Sequence, residues 1–148
     1  TFALDFIHSD RSIFKIVDLD EAWAFLNVAQ GETLSNKLVR AGRAMNAGVY
    51  FVTQSSGDVS KESLKNNIGL KFAFRSTDTN EIKQTLEFFG LDSEDENNQK
   101  RLRDLENGQC LMQDLYGRVG VVQIHPVFVE LLHAFDTRPP IKSEVDLE

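Results

Sequence analysis

The stretch SIFKIVDLDEAW, residues 12–23, places two adjacent acids at the end of an apolar run. Residues 13–19 are rich in Ile, Val and Phe, which predicts a strand, and residues 22–28 have the pattern of a helix. Asp20 and Glu21 therefore lie where a buried strand passes into a helix. Two neighbouring carboxylates there either cap the helix or hold a cation and a water, and both interpretations stay open at this point.

The remainder of the chain predicts strands and helices in alternation. Two more strands are predicted at 48–53 and 70–75, the second because Leu70, Phe72 and Phe74 alternate onto one face. A β-hairpin is predicted from 109–115 and 119–124. The fold class is α/β, with parallel strands and an antiparallel edge. Helices are predicted over 22–28, with Gly31 as a stop, and over 33–46 and 127–135. A short helix that carries Leu64 and Ile68 is predicted after a Ser60 cap. Two more are predicted, one from Thr77 or Asp78 to Gly90 and one that begins near Ser93.

Composition limits the class of protein. The chain has 148 residues, of which 41% are hydrophobic, and we expect one compact domain over 1–138 and a polar tail over 139–148. Its net charge is −7. The acidic balance argues against a broad basic surface that grips nucleic acid. A single cysteine, Cys110, excludes a disulfide framework and a cysteine-rich zinc site, and we expect it to be buried. No apolar run approaches the ~20 residues that span a bilayer.

Polar residues follow the first two predicted strands. Asp20 ends the first strand and Gln54 ends the second. Ligands of open parallel sheets bind outside the carboxyl ends of the strands, so we expect the ends of these two side chains to lie within a hydrogen bond or one bridging water. One carboxylate could hold the waters around Mg²⁺ while its neighbour deprotonates an attacking water. The acidic run 92–98 has no regular ligand spacing and is interpreted as solvated surface.

Two segments carry a family resemblance. KIVDLDEAW (15–23), followed by RAGRAMNAGVYFVTQSSGDV (40–59), resembles the C-terminal half of the ATPases that power conjugative type IV secretion. These are the TraC-like proteins in the HerA–FtsK group of RecA-like motors. The later segments 68–78, 105–126 and 135–139 also resemble that family, so the likeness covers nearly the whole chain.

The resemblance implies a partial RecA-like P-loop NTPase sheet and a role for each matching residue. Asp20 would be the Walker B aspartate that binds Mg²⁺ through water, Glu21 the catalytic glutamate and Gln54 the sensor. Arg43 is the first candidate for the arginine that reaches the γ-phosphate of ATP in a neighbouring subunit, and Arg40 and Arg75 are the next. The implied cofactors are ATP and Mg²⁺.

The resemblance also implies a setting. The whole protein would form a ring, expected to be a hexamer, at the cytoplasmic face of a conjugation or secretion channel, as in systems encoded by conjugative transposons, with DNA as a possible partner. Two alternatives remain open, namely a DNA-pumping translocase of the HerA or FtsK kind and a non-catalytic interaction module that keeps the fold.

One expected motif is missing. No part of the 148 residues matches G-x-x-x-x-G-K-[ST], the loop that binds phosphates. We expect this loop to precede Thr1 in a longer protein, and we expect residues 1–148 alone not to hydrolyse ATP. The strand that leads into the loop would also be absent, so we expect 70–75 to pair directly with 48–53, or a second copy to fill the gap with its residues 2–7.

Overall fold

A computed structural model of the chain describes residues 2–59 and 62–134. Seven α-helices and five strands lie in these two ranges. In chain order they are α1 (Phe2–Ile7), β1 (Lys15–Leu19), α2 (Ala22–Leu26), α3 (Ala29–Ala44), β2 (Ala47–Phe51), α4 (Glu62–Lys65), β3 (Lys71–Ala73), α5 (Thr79–Phe89), α6 (Glu96–Arg103), β4 (Gln109–Gln113), β5 (Val119–Gln123) and α7 (Val129–Ala134), with a 3₁₀ turn at Ser56–Val59 between β2 and α4.

The first sheet consists of β1 and β2, which pair in parallel from Lys15↔Ala47 to Leu19↔Phe51. The predicted parallel pairing of these segments is confirmed. The connection between the two strands runs through α2 and α3. Gly31 was predicted to stop the first of these helices, and this prediction is wrong. This glycine lies inside α3, and the helical run breaks earlier, where the backbone of Val28 is extended (φ −101°, ψ 134°).

The second sheet is antiparallel, in the order β3–β4–β5. The predicted hairpin is confirmed as β4 and β5, which pair from Gln109↔Gln123 to Gln113↔Val119. The prediction that 70–75 closes onto 48–53 is wrong. The short strand β3 instead pairs with β4, so none of the strands in the described ranges except β1 pairs with β2.

The N-terminal segment suggested for exchange between copies has its own place in the chain. It forms the helix α1, and its Ile7 is fully buried. It therefore stays a prediction that a second copy pairs with the open edge of β2, but residues 2–7 are no longer the segment best suited to do so. The α/β architecture, with a parallel pair and an antiparallel hairpin, is confirmed.

The alternation predicted for 70–75 is real, but its apolar face points away from the core. Leu70, Phe72 and Phe74 are 46%, 50% and 60% exposed. Lys71 is buried, and its Nζ donates to the carbonyl of Phe88 at 2.9 Å and lies 4.6 Å from the centroid of the Phe88 ring. Burial, and then the charge of Lys65, lower the pKa of the Lys71 ammonium. The hydrogen bond to the carbonyl and the contact with the ring together offset the free-energy cost of removing the Lys71 ammonium from water.

One apolar cluster lies between the two sheets. Leu26 comes from the first sheet's connection, Leu64 from α4, Ile82 and Leu86 from α5, and Leu111 from β4. Because side chains from both sheets enter this cluster, it holds them together without a shared strand ladder.

Several local predictions can now be compared with the structure. Of the two predicted caps of α5, Asp78 is the one used, because its side chain accepts from the N–H of Glu81, and Gly90 ends the helix at φ +74°. The helix α6 begins at Glu96 after an Asp95 cap, three residues beyond the predicted start near Ser93. Ser60 and residues 135–148 lie outside the described residues. Cys110 is fully buried as predicted, and burial raises the pKa of its thiol.

Candidate functional site

The site begins where β1 ends. The strand ladder runs one step past β2, because Val52 N–H donates to the Leu19 carbonyl at 3.0 Å. The chain then turns at Glu21, which has the left-handed φ of +52°. This turn lets Ala22 N–H, the first of α2, donate to the Val52 carbonyl at 2.9 Å. The backbone of the strand end is thus tied to the neighbouring strand end.

The side chains of Glu21 and Gln54 meet at this edge of the sheet. Gln54 Nε2 donates to Glu21 Oε1 at 3.0 Å, although the two residues are separated by 33 positions in the chain. Both residues are exposed, so the pair faces solvent outside the carboxyl ends of β1 and β2. An amide that orients an exposed carboxylate is suited to work on a water molecule or a bound ligand.

Asp20 lies beside this pair with a different contact. Its Oδ1 accepts from the N–H of Glu21 at 2.9 Å, and its second oxygen has no hydrogen-bond partner among the described residues. The strand ends were predicted to bring Asp20 and Gln54 together, and the hydrogen bond of Gln54 instead goes to Glu21. Asp20 also does not cap α2 in the usual way, because its partner is the N–H of the very next residue.

The donor chemistry of Asp20 fits Mg²⁺. Magnesium keeps several of its waters and is usually bound by one or two carboxylates together with phosphate oxygens. An exposed carboxylate with one oxygen available matches this mode, and Asp20 could hold the ion through water. No group of three or more His, Cys, Asp or Glu within 2–59 and 62–134 could hold a metal ion by itself.

The three candidate arginines lie on α3 and just after β3. Arg40 lies on the exposed side of α3, and Arg75 is exposed beyond the end of β3. Arg43 lies in α3, but its side chain is outside what the structure describes. Among the described residues, no hydrogen bond or ion pair joins Arg40 or Arg75 to the acids at the strand ends. An arginine that acts on a neighbouring subunit would make no such contact, so their assignment stays a prediction.

Behind Gln54, a second group of polar residues holds the loop 55–57. Ser55 Oγ donates to Glu81 Oε2 at 2.9 Å, and Ser56 N–H donates to Glu81 Oε1 at 2.7 Å. Thr85, one turn further along α5 and buried, donates from Oγ1 to Ser56 Oγ at 3.2 Å and lies 3.4 Å from Glu81 Oε1. The carboxylate of Glu81 is thus bound by the loop that follows Gln54.

The sequence did not single out Glu81. It lies three residues after the Asp78 cap, where a glutamate ordinarily returns its carboxylate to the backbone N–H of the cap. In the structure, Asp78 N–H donates instead to Ser76 Oγ at 3.3 Å. The only signal in the sequence is the pair of serines after Gln54, whose short side chains and backbone suit a carboxylate partner.

Comparison with known proteins identifies the family. A family described as the AAA-like domain matches residues 1–135 of the chain. The chain belongs to the AAA-like domain family. The structure of this chain is similar to the solved structure of VirB4 of Thermoanaerobacter pseudethanolicus, with a TM-score of 0.71 and 16% sequence identity. The match covers 88% of this chain and 36% of the VirB4 chain. The fold of this AAA-like domain is therefore similar to that of the matching part of VirB4, and the predicted α/β P-loop NTPase fold class is confirmed.

Two further relatives have very different lengths and sources. Uncharacterized protein YddE of Bacillus subtilis (strain 168) is 34% identical over 119 residues, which are 80% of this chain and 14% of YddE. The genome packaging NTPase B204 from Sulfolobus turreted icosahedral virus 2, solved in complex with ATP-gammaS, has a TM-score of 0.56 at 15% identity, covering 75% of this chain and 52% of that chain. The AAA-like domain chain spans about a seventh of YddE and about a third of VirB4. None of its helices within 2–59 and 62–134 is long and apolar enough to cross a membrane.

Proposed function

We propose that this chain supplies the Walker B side of an ATP-hydrolysing motor of a conjugative or type IV secretion system. The observation that carries the proposal is the hydrogen bond between Gln54 and Glu21 at adjacent parallel strand ends. A carboxylate in that position, held by an amide from the next strand, is what the hydrolysis of a nucleoside triphosphate requires of a general base and its sensor. Membership of the AAA-like domain family supports the same assignment.

In this proposal the residues divide the work. Glu21 accepts a proton from a water, the water oxygen attacks the γ-phosphorus, and the bond from that phosphorus to the bridging oxygen breaks. Gln54 holds the Glu21 carboxylate in place and could also contact the water or the γ-phosphate. Asp20 would hold Mg²⁺ through water, and the ion would neutralise charge on the phosphates. The phosphate-binding loop would come from residues before Thr1.

The remaining assignments concern assembly. We propose that the longer protein associates with itself, as a hexamer, and that Arg43 reaches the nucleotide of the neighbouring subunit, with Arg40 and Arg75 as the alternatives. It would act at the inner face of the cell membrane with the components of a secretion or conjugation channel. The fold shared with a genome packaging NTPase favours one alternative, a DNA-pumping translocase, which would show turnover stimulated by DNA.

The test is ATP hydrolysis by the longer protein that includes the phosphate-binding loop. Glu21→Gln should lower kcat by about 10²–10⁴-fold while ATP still binds, because the amide cannot accept the proton. Asp18→Asn is the matched control, since Asp18 is an exposed carboxylate of β1 only three residues away, and it should leave kcat unchanged. Turnover that is insensitive to Glu21→Gln would refute the assignment, and binding without any turnover would favour the non-catalytic module.

A further inference from the structure

We infer that Glu81 is a positioning residue for this site: it fixes the loop 55–57 and, through the loop, aims Gln54 at Glu21. The inference rests on the proposed function and adds to it a residue from a different helix and from the other half of the fold. The hydrogen bonds described for the Glu81 carboxylate go to Ser55, Ser56 and Thr85, so it acts on Gln54 through the backbone of the loop.

The first observation is how the carboxylate is shared. Its two oxygens accept from two consecutive residues, Ser55 through the hydroxyl at 2.9 Å and Ser56 through the backbone N–H at 2.7 Å. Hydrogen bonds to an ionised acceptor are short and about twice as strong as neutral ones. Two of them to adjacent residues restrain both the position and the orientation of that peptide unit.

The second observation is that Glu81 is itself rigidly mounted. It lies in the first turn of α5, directly before Ile82, which is fully buried in the core, as is Leu86 one turn later. The Asp78 cap fixes the start of the same helix, since its carboxylate accepts from Glu81 N–H at 2.8 Å. Because the helix is fixed against the core, its carboxylate holds the loop in a fixed position relative to the core.

The third observation is that Gln54 needs such support. The β-ladder ends with the contacts of Val52, and Gln54 is exposed, so packing does not hold its side chain. Its neighbour Ser55 is restrained by Glu81 and by the 3.4 Å hydrogen bond from Ser55 N–H to Thr53 Oγ1. Without Glu81, the loop loses both of its hydrogen bonds to a carboxylate and keeps weaker ones, such as those from Ser55 N–H to Thr53 Oγ1 and from Thr85 Oγ1 to Ser56 Oγ, and the amide of Gln54 loses its fixed direction toward Glu21.

The experiment combines steady-state ATPase kinetics with amide hydrogen exchange, both on the longer protein that carries the phosphate-binding loop. Glu81→Ala should lower kcat by about tenfold and change KM for ATP less than about twofold, because the loop orients the catalytic step rather than the nucleotide. Glu81→Gln should retain activity within about threefold, because its amide oxygen still accepts from Ser56 N–H and the Ser55 hydroxyl can rotate to accept. Glu87→Ala is the matched control. Glu87 lies on the same helix, but its carboxylate accepts from Ser93 Oγ, beyond the end of the helix, and not from the loop, so the variant should change neither constant.

A double-mutant cycle separates positioning from general stability. In a Gln54→Ala background, Glu81→Ala should cause no further loss of kcat, because the side chain it orients is already absent. A full additional loss in that background would overturn the inference and leave Glu81 as a purely structural residue. If Glu81→Ala does not fold, Ser55→Ala removes one of the two contacts from the loop side and should lower kcat about threefold, again only when Gln54 is present.

Amide exchange gives a result that does not depend on turnover. Peptides that span 53–58 should exchange faster in Glu81→Ala than in wild type, and they should be unchanged in Glu87→Ala, because Ser56 N–H loses its acceptor only in the first variant. Unchanged exchange in Glu81→Ala would overturn the inference. A wild-type protein that binds ATP without hydrolysing it would instead overturn the proposed function, and the exchange experiment would still decide whether Glu81 holds the loop.

Discussion

At the scale of the residue, Glu21 combines backbone strain with the proposed role of general base. Its φ of +52° lies in the left-handed region, which costs a residue with a Cβ about 1–2 kcal/mol. The same turn places its N–H on Asp20 and its carboxylate on Gln54. Strained backbone of this kind is concentrated at functional sites, where the surrounding structure holds it in place.

This strain predicts that stability and activity change in opposite directions at position 21. Glu21→Gly should leave the free energy of unfolding unchanged or raise it by up to about 1 kcal/mol, because relief of strain offsets the greater freedom of unfolded glycine. Turnover by the longer protein should be lost. Urea unfolding of the variant measures the first effect, and a clear loss of stability would contradict the argument.

Gly90→Ala is the complementary change and a control for the size of the effect. Gly90 has φ +74° at the end of α5, and an added Cβ would meet nothing within 4 Å. Any loss of stability therefore comes from the backbone alone, and we expect about 1 kcal/mol in the same unfolding measurement.

The sequence pointed to the acids and the amide of the candidate site but not to Glu81, the residue that holds the loop after Gln54. Asp20, Glu21 and Gln54 follow apolar runs, and a strand end can be located from such a run. Glu81 could not be found in this way, because its partners Ser55 and Ser56 are 26 and 25 residues away and local rules assign it to its own helix cap. The direct hydrogen bond of Gln54 goes to Glu21 rather than to Asp20, because the turn at Glu21 redirects the chain, and an approach of Asp20 and Gln54 through one bridging water stays a prediction.

At the scale of the element, patterns located the strands better than they assigned their partners. All five strands lie within predicted segments or overlap them closely, since β-branched and aromatic runs mark strands. The orientation of β3 did not follow from its pattern. Lys71 faces the core because a carbonyl and an aromatic ring receive its ammonium, and neither is visible from the segment itself.

The hairpin turn between β4 and β5 gives a pH-dependent prediction. Partial burial of Asp114 opposes ionisation, but hydrogen bonds from the backbone and side chain of Arg118 and from the backbone of Tyr116, with the charge of Arg118, lower the pKa of its carboxyl. A folded pKa below the unfolded one means that ionised Asp114 stabilises the fold above the ordinary Asp pKa of about 3.9, and that this contribution is lost as the pH falls through the folded pKa.

Asp114→Asn should therefore lower the urea midpoint of unfolding at neutral pH, and the gap from wild type should narrow as the solution is acidified below about pH 4. The measurement is a series of unfolding curves for the two proteins across that range. Asp92→Asn is a suitable control, because Asp92 also accepts a backbone N–H in an exposed turn, from Glu94 at 2.9 Å, but has no arginine partner. A gap that stays constant with pH would contradict the assignment.

At the scale of the whole molecule, the partner of β3 depends on which other strand edges the fold offers it. The edge of β3 could have met β2 or β4, and a pattern within one strand does not choose between them. Three residues of β3 pair with β4, which already forms a hairpin with β5 and so offers a preorganised edge. The fold class was predictable from the order of elements, but this choice was not.

Residues 1–148 alone should not hydrolyse ATP. The chain contains no G-x-x-x-x-G-K-[ST] loop, so a triphosphate would lack both its cradle of backbone N–H groups and its lysine. The measurement is release of phosphate by the purified chain with Mg²⁺, compared with its Glu21→Gln variant. Turnover that depends on Glu21 in this short chain would show that the phosphates are bound by residues other than those proposed here.

The division into two sheets also has a mechanical consequence. Among the described residues, no hydrogen-bonded ladder crosses from β1–β2 to β3–β4–β5. The halves are joined instead by the apolar cluster and by side-chain hydrogen bonds, among them those of Glu81 and Thr85 to the loop and that of Lys65 to the Glu87 carbonyl. Packed side chains slide past one another more readily than paired strands do, which makes this boundary the natural plane of shear. Glu81 spans that plane and ends on the loop behind Gln54. Force applied to the hairpin half would therefore reach the proposed catalytic edge by two routes, through this loop and through the apolar cluster that includes Ala22 and Leu26.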